Sequence, residues 1–315
     1  MELSRRNFVG SLFAAAALPS LAADDPSVFP ARGRNERLAL AYQHIHLGLD
    51  KPFSVLHISD THLTAAYPDE NEKKQKLREA RTRTFGGRQE EALRDSLAWA
   101  KDHVDYVVHT GDLIDWQSRA NYDLVKKYFG PAAKTLVATM GNHEFSPDMW
   151  LSPAKEEESF KDRSRKALAE TYPFDIQLQS TVVNGVNFVA IDDVYATVPA
   201  VVVERFHAEV KKGLPIVLCM HVPFHTPEIW RASCTFWRNQ KFANAAVPDP
   251  VGDYAAQQKD PVTRNFIAYL KGEKLLKGIL AGHLHITVQE RFSPTAMQYV
   301  VGSNFLFHGQ QVFFT

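Results

Sequence analysis

The 315-residue sequence predicts a layered protein of helices and strands, built on a mixed sheet or on two sheets packed together. Three observations lead there. Short apolar β-rich runs alternate with amphipathic stretches of helical period from residue 53 to residue 281, the order that layered structure requires. Residues 286–314 are β-rich and mostly without helical pattern, which is not how a purely doubly wound parallel sheet ends. The apolar and charged fractions, 45% and 23%, are ordinary for a globular chain, and this length buries most of its unfolded surface without staples. No internal repeat is visible.

The chain opens Ser4-Arg5-Arg6-Asn7-Phe8, and small and apolar residues follow to Ala23. A charged start, a short apolar stretch and the small residues Ser20 and Ala22 fit an export signal over residues 1–23. Paired arginines followed by a polar residue and Phe resemble a twin-arginine signal. An uncleaved amphipathic helix is the plainer alternative. The apolar run is too short for a comfortable membrane span, so no stable membrane insertion is expected. Residues 24–36 lack periodicity and read as a linker. That leaves 37–315 as one domain, expected in the periplasm or outside the cell.

Within that domain, residues 53–58 read as a strand. Residues 88–103 place Leu93, Leu97 and Ala100 at helical spacing. Residues 106–108 predict a strand, 122–129 a helix stopped by Gly130, and 135–139 another strand. Ser152-Pro153 supply a cap and first turn for a long charged helix. Asn184-Gly185 between two β-rich runs signals a hairpin. A helix over 202–212 ends at Gly213, and a strand covers 216–220. Asp260-Pro261 opens a helix to Gly272, and 279–281 is a short strand.

Lys plus Arg equals Asp plus Glu, 36 of each, so the basic excess of a nucleic-acid-duplex binder is missing. Cys219 and Cys234 are the only cysteines, too few for a thiolate metal site. Cys219 lies in an apolar run and reads as a small buried hydrophobe. A disulfide to Cys234 depends on geometry that sequence does not supply.

The polar residues that matter follow the strands. Asp60-Thr61-His62 comes after the run ending at Ser59, and Gly111-Asp112 after Thr110. Gly141-Asn142-His143-Glu144 comes after Met140, His221 after Met220, and Gly282-His283-Leu284-His285 after Ala281. Functional groups of layered folds gather outside the carboxyl ends of strands. One such histidine is more often structural than ligating. Five clusters in order, each directly after an apolar run, are not a chance pattern. Carboxylate, imidazole and amide oxygen without thiolate suit Mn, Fe, Zn or Co, whereas Mg or Ca would favour more oxygens. Seven ligands exceed one tetrahedral site; with one carboxylate shared they furnish two. Paired metals clamp the attacking and leaving oxygens of an in-line displacement.

Asp60-x-His62, Gly111-Asp112-x-x-Asp115, Gly141-Asn142-His143-Glu144, His221 and Gly282-His283-x-His285 resemble the full motif set of calcineurin-like metallophosphoesterases, over roughly residues 53–290. The resemblance implies an α+β fold: a four-layer α/β/β/α sandwich with two mixed sheets between helices. It implies a hydrolase of phosphomonoester or phosphodiester bonds that uses two divalent transition-metal ions. Asp60, His62 and His285 would hold one metal, and Asn142, His221 and His283 the other, with Asp112 bridging. His143 would be the catalytic histidine, protonating the leaving oxygen or steadying the transition state. A twin-arginine route, which carries folded proteins, suits a chain that acquires metals before export. Leu63-Thr64 depart from the family's x-Gly. Asp115 stands where purple acid phosphatases have a ligating Tyr, and Asp115-Trp116 lacks the Asp-Arg-Gly of Ser/Thr protein phosphatases. The expected partner is a small phosphorylated substrate; oligomeric state stays open. The alternative is a catalytically inactive relative that only binds, against which the complete ligand set counts.

Glu144 either orients a histidine or faces solvent. Two polar segments are candidate substrate walls. One is 64–87, with Arg78, Arg81 and Arg83. The other is an insertion at 223–260, with His225, Trp230, Arg231, Phe236, Trp237, Arg238 and Tyr254. Ordinary surface and packing are the plainer reading of both. His44 and His46 alternate on a strand and are expected at the surface.

Overall fold

Strands with apolar residues on both faces pair into two sheets. The structure, a computed structural model, describes residues 38–146, 158–238 and 253–315. The export signal, the linker and the Ser152-Pro153 helix start lie outside the described residues.

The first sheet contains β1 (Ala39–Ile45), β2 (Phe53–Ile58), β3 (Tyr106–Thr110), β4 (Leu136–Thr139) and β11 (His308–Phe314), in the order β1-β11-β2-β3-β4. Only the β11–β2 pair is antiparallel. The second contains β5 (Leu178–Val183), β6 (Val186–Ile191), β7 (Ile216–Cys219), β8 (Leu276–Ala281), β9 (Val288–Arg291) and β10 (Met297–Val300), ordered β5-β6-β7-β8-β10-β9. Its four central strands are parallel and both edges are closed by antiparallel neighbours. The β5–β6 turn is Asn184-Gly185, with φ of 45° and 85°, the left-handed pair that a two-residue hairpin needs.

Strand residues of alternate parity go to different cores, since side chains alternate faces. Val55, Val108, Val137, Val217 and Cys219 meet Phe188 and Phe314 between the sheets. Leu56, Ile58, Val107 and Leu136 face outward onto α2 (Gln89–His103), α3 (Arg119–Ala132) and α4 (Glu158–Thr171). Ile216, Leu218 and Ile279 face α5 (Ala200–Val210) and α8 (Pro261–Gly272). Two mixed sheets between helices are the expected four layers.

Three details differ from the sequence reading or resolve it. Helix α3 begins earlier, because the Ser118 hydroxyl caps it by accepting from the Asn121 N–H. It also runs through Gly130, its end tightening as the Ala133 N–H donates to the Gly130 carbonyl (3.3 Å). The polar stretch 64–87 contains a further helix, α1 (Glu72–Thr84), capped by Asn71. Cys219 and Cys234 are both buried free thiols. Cys219 faces the space between the sheets, while the helix bearing Cys234, α6 (Pro227–Phe236), packs on the other core through Ile229. His44 and His46 are exposed, as expected. No described helix is long and apolar enough to cross a membrane.

Phe188 is fully buried and meets Phe53 and Phe314 edge-on at 6.1 and 5.3 Å. Replacing it with Ala opens a cavity between the sheets. Phe188→Ala should lower unfolding stability by about 3–5 kcal/mol in a denaturant titration, with metal content per folded chain unchanged.

Candidate metal centre

The carboxyl ends of β2, β3 and β4 meet those of β7 and β8 at one rim. Cross-loop bonds join the segments that leave them. Asp60 N–H donates to Gly111 O (3.0 Å), His62 N–H to Asp112 O (2.9 Å) and Gly282 N–H to His221 O (3.1 Å). Asp60, His62, Asp112, His283 and His285 all hold positive φ, between 50° and 68°. Such backbone costs about 1–2 kcal/mol per residue and persists only where the surroundings over-determine it.

The motif glycines sit where the backbone touches a neighbouring ligand. A Cβ on Gly141 would lie 2.1 Å from Asp112 Oδ1, and one on Gly282 would lie 1.8 Å from Ser59 Oγ and 2.8 Å from Asp60 Oδ2. No side chain fits at either position.

All seven expected ligands come together. His285 Nε2 lies 3.3 Å from Asp60 Oδ1 and 3.2 Å from His62 Nε2. His221 Nε2 lies 3.2 Å from both Asn142 Oδ1 and His283 Nδ1. Asp112 Oδ2 lies 3.3 Å from His221 Nε2 and 3.7 Å from His62 Nε2, so it faces both groups. The same geometry also groups His143 with His62 and Asp112.

These residues fit a pair of cations. Asp60 Oδ1 is buried without a hydrogen bond. Among the described residues, the salt-bridge partners of Asp60 and Asp112 are imidazoles only. Burial alone would raise both carboxyls, but the surrounding histidines hold them below the usual carboxylate range. The demand for positive charge is strong: burial lowers the His221 pKa, yet Asp112 outweighs it and raises it to about 10. Burial, helped by His143, brings His62 down to about 4, leaving its lone pair available.

For His62 and His221 the far ring nitrogen fixes the tautomer, as inferred from its partner. His62 Nδ1 donates to Asp115 Oδ1 (3.0 Å) and His221 Nδ1 to the Thr110 carbonyl (2.7 Å). His143 Nδ1 lies 2.8 Å from that same Asp115 Oδ1 and 2.9 Å from the Asp115 carbonyl oxygen. Burial lowers the His143 pKa, but Asp112 and Asp115 outweigh it and raise it. Asp115 is in turn gripped by Arg81, through Nε at 2.6 Å and Nη2 at 2.8 Å.

Several sequence expectations are thereby corrected. Arg81 is no substrate wall: it is buried beneath Phe85, which stacks on His62 at 4.8 Å. Arg78 and Arg83 do line an open cleft of about 500 Å³, with Thr64, Glu79 and Thr82. Glu144 neither orients a histidine nor faces solvent. It is fully buried and accepts from the N–H groups of Asp112, Leu113 and Gly141 and from the Tyr172 hydroxyl, at 2.7–3.1 Å; burial pushes its carboxyl up to about 7. Trp230 and Tyr254 are buried against each other, so they pack the insertion. Trp237 is half-buried, 5.8 Å from the His285 ring.

Two acidic residues escaped the sequence reading. Asp193 accepts from the N–H groups of His221 and Val222, both at 2.9 Å; its place after β6, at the same rim, was the available signal. Asp253 lies 3.0 Å from His283 Nε2 and has no local signal at all.

A family model described as calcineurin-like phosphoesterase matches residues 53–287. Among solved structures, the chain is similar to a dimetal phosphatase from Danio rerio, at 14% identity over 80% of this chain and 88% of that one, with a TM-score of 0.44. It is also similar to phosphopantetheinyl hydrolase from Mycobacterium tuberculosis, at 13% identity over 81% and 91%, TM-score 0.37. A 5′-nucleotidase from Candida albicans is similar at 12% identity over 85% and 48%, TM-score 0.39. No curated protein matches.

The glycine contacts can be tested directly. Gly282→Ala should displace Asp60 and lower metal affinity at least tenfold, the scale seen when supports of a metal ligand are lost. Gly130→Ala, where a Cβ meets nothing within 4 Å, should leave affinity unchanged. Calorimetric metal titration of both variants reads the difference.

Proposed function

We propose, from the premise that this chain belongs to the calcineurin-like phosphoesterase family, that it cleaves phosphomonoester or phosphodiester bonds of a small phosphorylated substrate through a dinuclear metal centre. As a member of that family it is a metallophosphoesterase. The observation that carries the reading is the convergence of six donor side chains, three on each side of Asp112 Oδ2.

Asp60, His62 and His285 would hold one ion, and Asn142, His221 and His283 the other, with Asp112 within reach of both. The donor set suits Mn, Fe, Zn or Co. Bound there, the ions would supply charge neutralisation for the phosphoryl oxygens and a lowered pKa for a bound water.

The chain's own residues do the rest. Asp115 holds His143 by Nδ1, so Nε2 is the end turned to the site, 3.8 Å from Asp112 Oδ2. Before any ion binds, the Asp112 and Asp115 carboxylates favour the protonated form of His143. An alkoxide leaving group needs that proton, and a positioned histidine can donate it. Arg81 keeps Asp115 ionised and thereby keeps both His62 and His143 oriented. Arg78 and Arg83 in their cleft and Trp237 beside His285 suit the substituent of a phosphate ester.

The Arg5-Arg6 start supports export by the twin-arginine route. Arg5→Lys with Arg6→Lys should leave precursor in the cytoplasm on fractionation; unchanged export would point to the general secretory route or to no signal.

His143 is separated from the ligands by a leaving-group comparison. Elemental analysis should find two ions per chain in the wild type and in His143→Ala. The rate should fall by about 10²–10⁴-fold, most for an alkyl phosphate and least for p-nitrophenyl phosphate, whose phenolate departs without a proton. Equal losses would reject the acid role, and a lost ion would make His143 a ligand.

A further inference from the structure

The insertion after β7 returns to the metal centre at Asp253, the first residue of α7 (Asp253–Lys259). Two buried side chains fix this short helix in place. The Tyr254 ring packs on Trp230 at 4.8 Å and on His225 at 5.1 Å. The Gln257 amide accepts from the His225 N–H (3.0 Å) and donates to the Pro223 carbonyl (2.9 Å). Helix α7 is therefore fastened to residues 223–225, the continuation of the loop that carries His221. From that anchored position Asp253 Oδ2 lies 3.0 Å from His283 Nε2. The other ring nitrogen of His283, Nδ1, sits among the ligand atoms, 3.2 Å from His221 Nε2.

We propose that Asp253 is a positioning residue for His283, and through it for the ion held with Asn142 and His221. The inference rests on the dinuclear reading above. A neutral imidazole carries one proton on one of two nitrogens. With that proton on Nδ1, His283 cannot ligate. The Asp253 carboxylate accepts a hydrogen bond from Nε2–H, which selects the tautomer with a free Nδ1 lone pair. His62 and His221 take the equivalent support from Asp115 and the Thr110 carbonyl, inside the strand-end loops. His283 takes it from the insertion. The metal site and the substrate-side segment are thus one unit. The competing role is local: an acidic residue in the first turn of a helix favours that helix through its dipole. That role would act on α7 and leave the metals alone.

The test uses the full chain, stripped by chelator and titrated with Zn(II) against a chromophoric competitor, so that both dissociation constants are read. Asp253→Ala should weaken one of the two ions by about 10–100-fold and leave the other unchanged. The thermal midpoint of the metal-free variant should equal that of metal-free wild type. Asp253→Asn, which keeps an acceptor oxygen, should recover part of the lost affinity. Two ions bound as tightly by Asp253→Ala as by wild type would overturn the proposal. So would equal weakening of both ions together with a lower metal-free midpoint, which would reduce Asp253 to a support of α7. A wild type that binds fewer than two ions would instead overturn the dinuclear reading.

Discussion

Two buried carboxylates, Asp60 and Asp112, stand where the two sheets meet at their carboxyl ends, and imidazoles are their only salt-bridge partners among the described residues. Charge removed from water is very costly unless it is paired or bound to metal. Much of the local structure answers that constraint. Gly141 and Gly282 let the backbone approach the carboxylates. Five ligand-bearing residues hold left-handed backbone. Glu144 ties the 112–114 turn to Gly141 with its own buried carboxylate. None of these features is stable alone; each is favourable because the others are in place.

The repeating part of this design was legible in the chain. A strand end followed by Asp-x-His, Gly-Asp, Gly-Asn-His, His or Gly-His-x-His is a local pattern, and each ligand is set by its own strand. The hairpin at Asn184-Gly185 and the helix opening at Asp260-Pro261 are equally local. What escaped depends on partners far along the chain. Helix α1 has no apolar stripe; it is anchored through buried Arg81, whose partner Asp115 is 34 residues away. The roles of Glu144, Asp193 and Asp253 follow from which backbone or ring nitrogen they meet, and no spacing rule encodes that. Trp230 and Tyr254 looked like wall residues because aromatic content alone does not say which way a ring points.

The segments outside the strand-end motifs are tied to the site by charge. The 64–87 stretch contributes Arg81, which grips Asp115 and through it His62 and His143. The insertion contributes Asp253, which meets His283. Each brings a carboxylate or guanidinium to the far side of an imidazole or its partner, where orientation is set. Loops that steady the ligands in this way cannot be exchanged freely, because altering their reach alters the histidines behind them.

His62 and His285 approach to 3.2 Å although 223 residues separate them along the chain. An ion held by both rings, as proposed above, would close a very large loop. Bringing such distant ends together is entropically unfavourable and slow compared with local pairing. Binding that requires the closed arrangement stabilises only the finished fold. On that reading the two histidines would act as a latch on folding: a nascent chain could complete the metal pair only after β8 had been made and docked against the first sheet, so loading would report that the two sheets have come together.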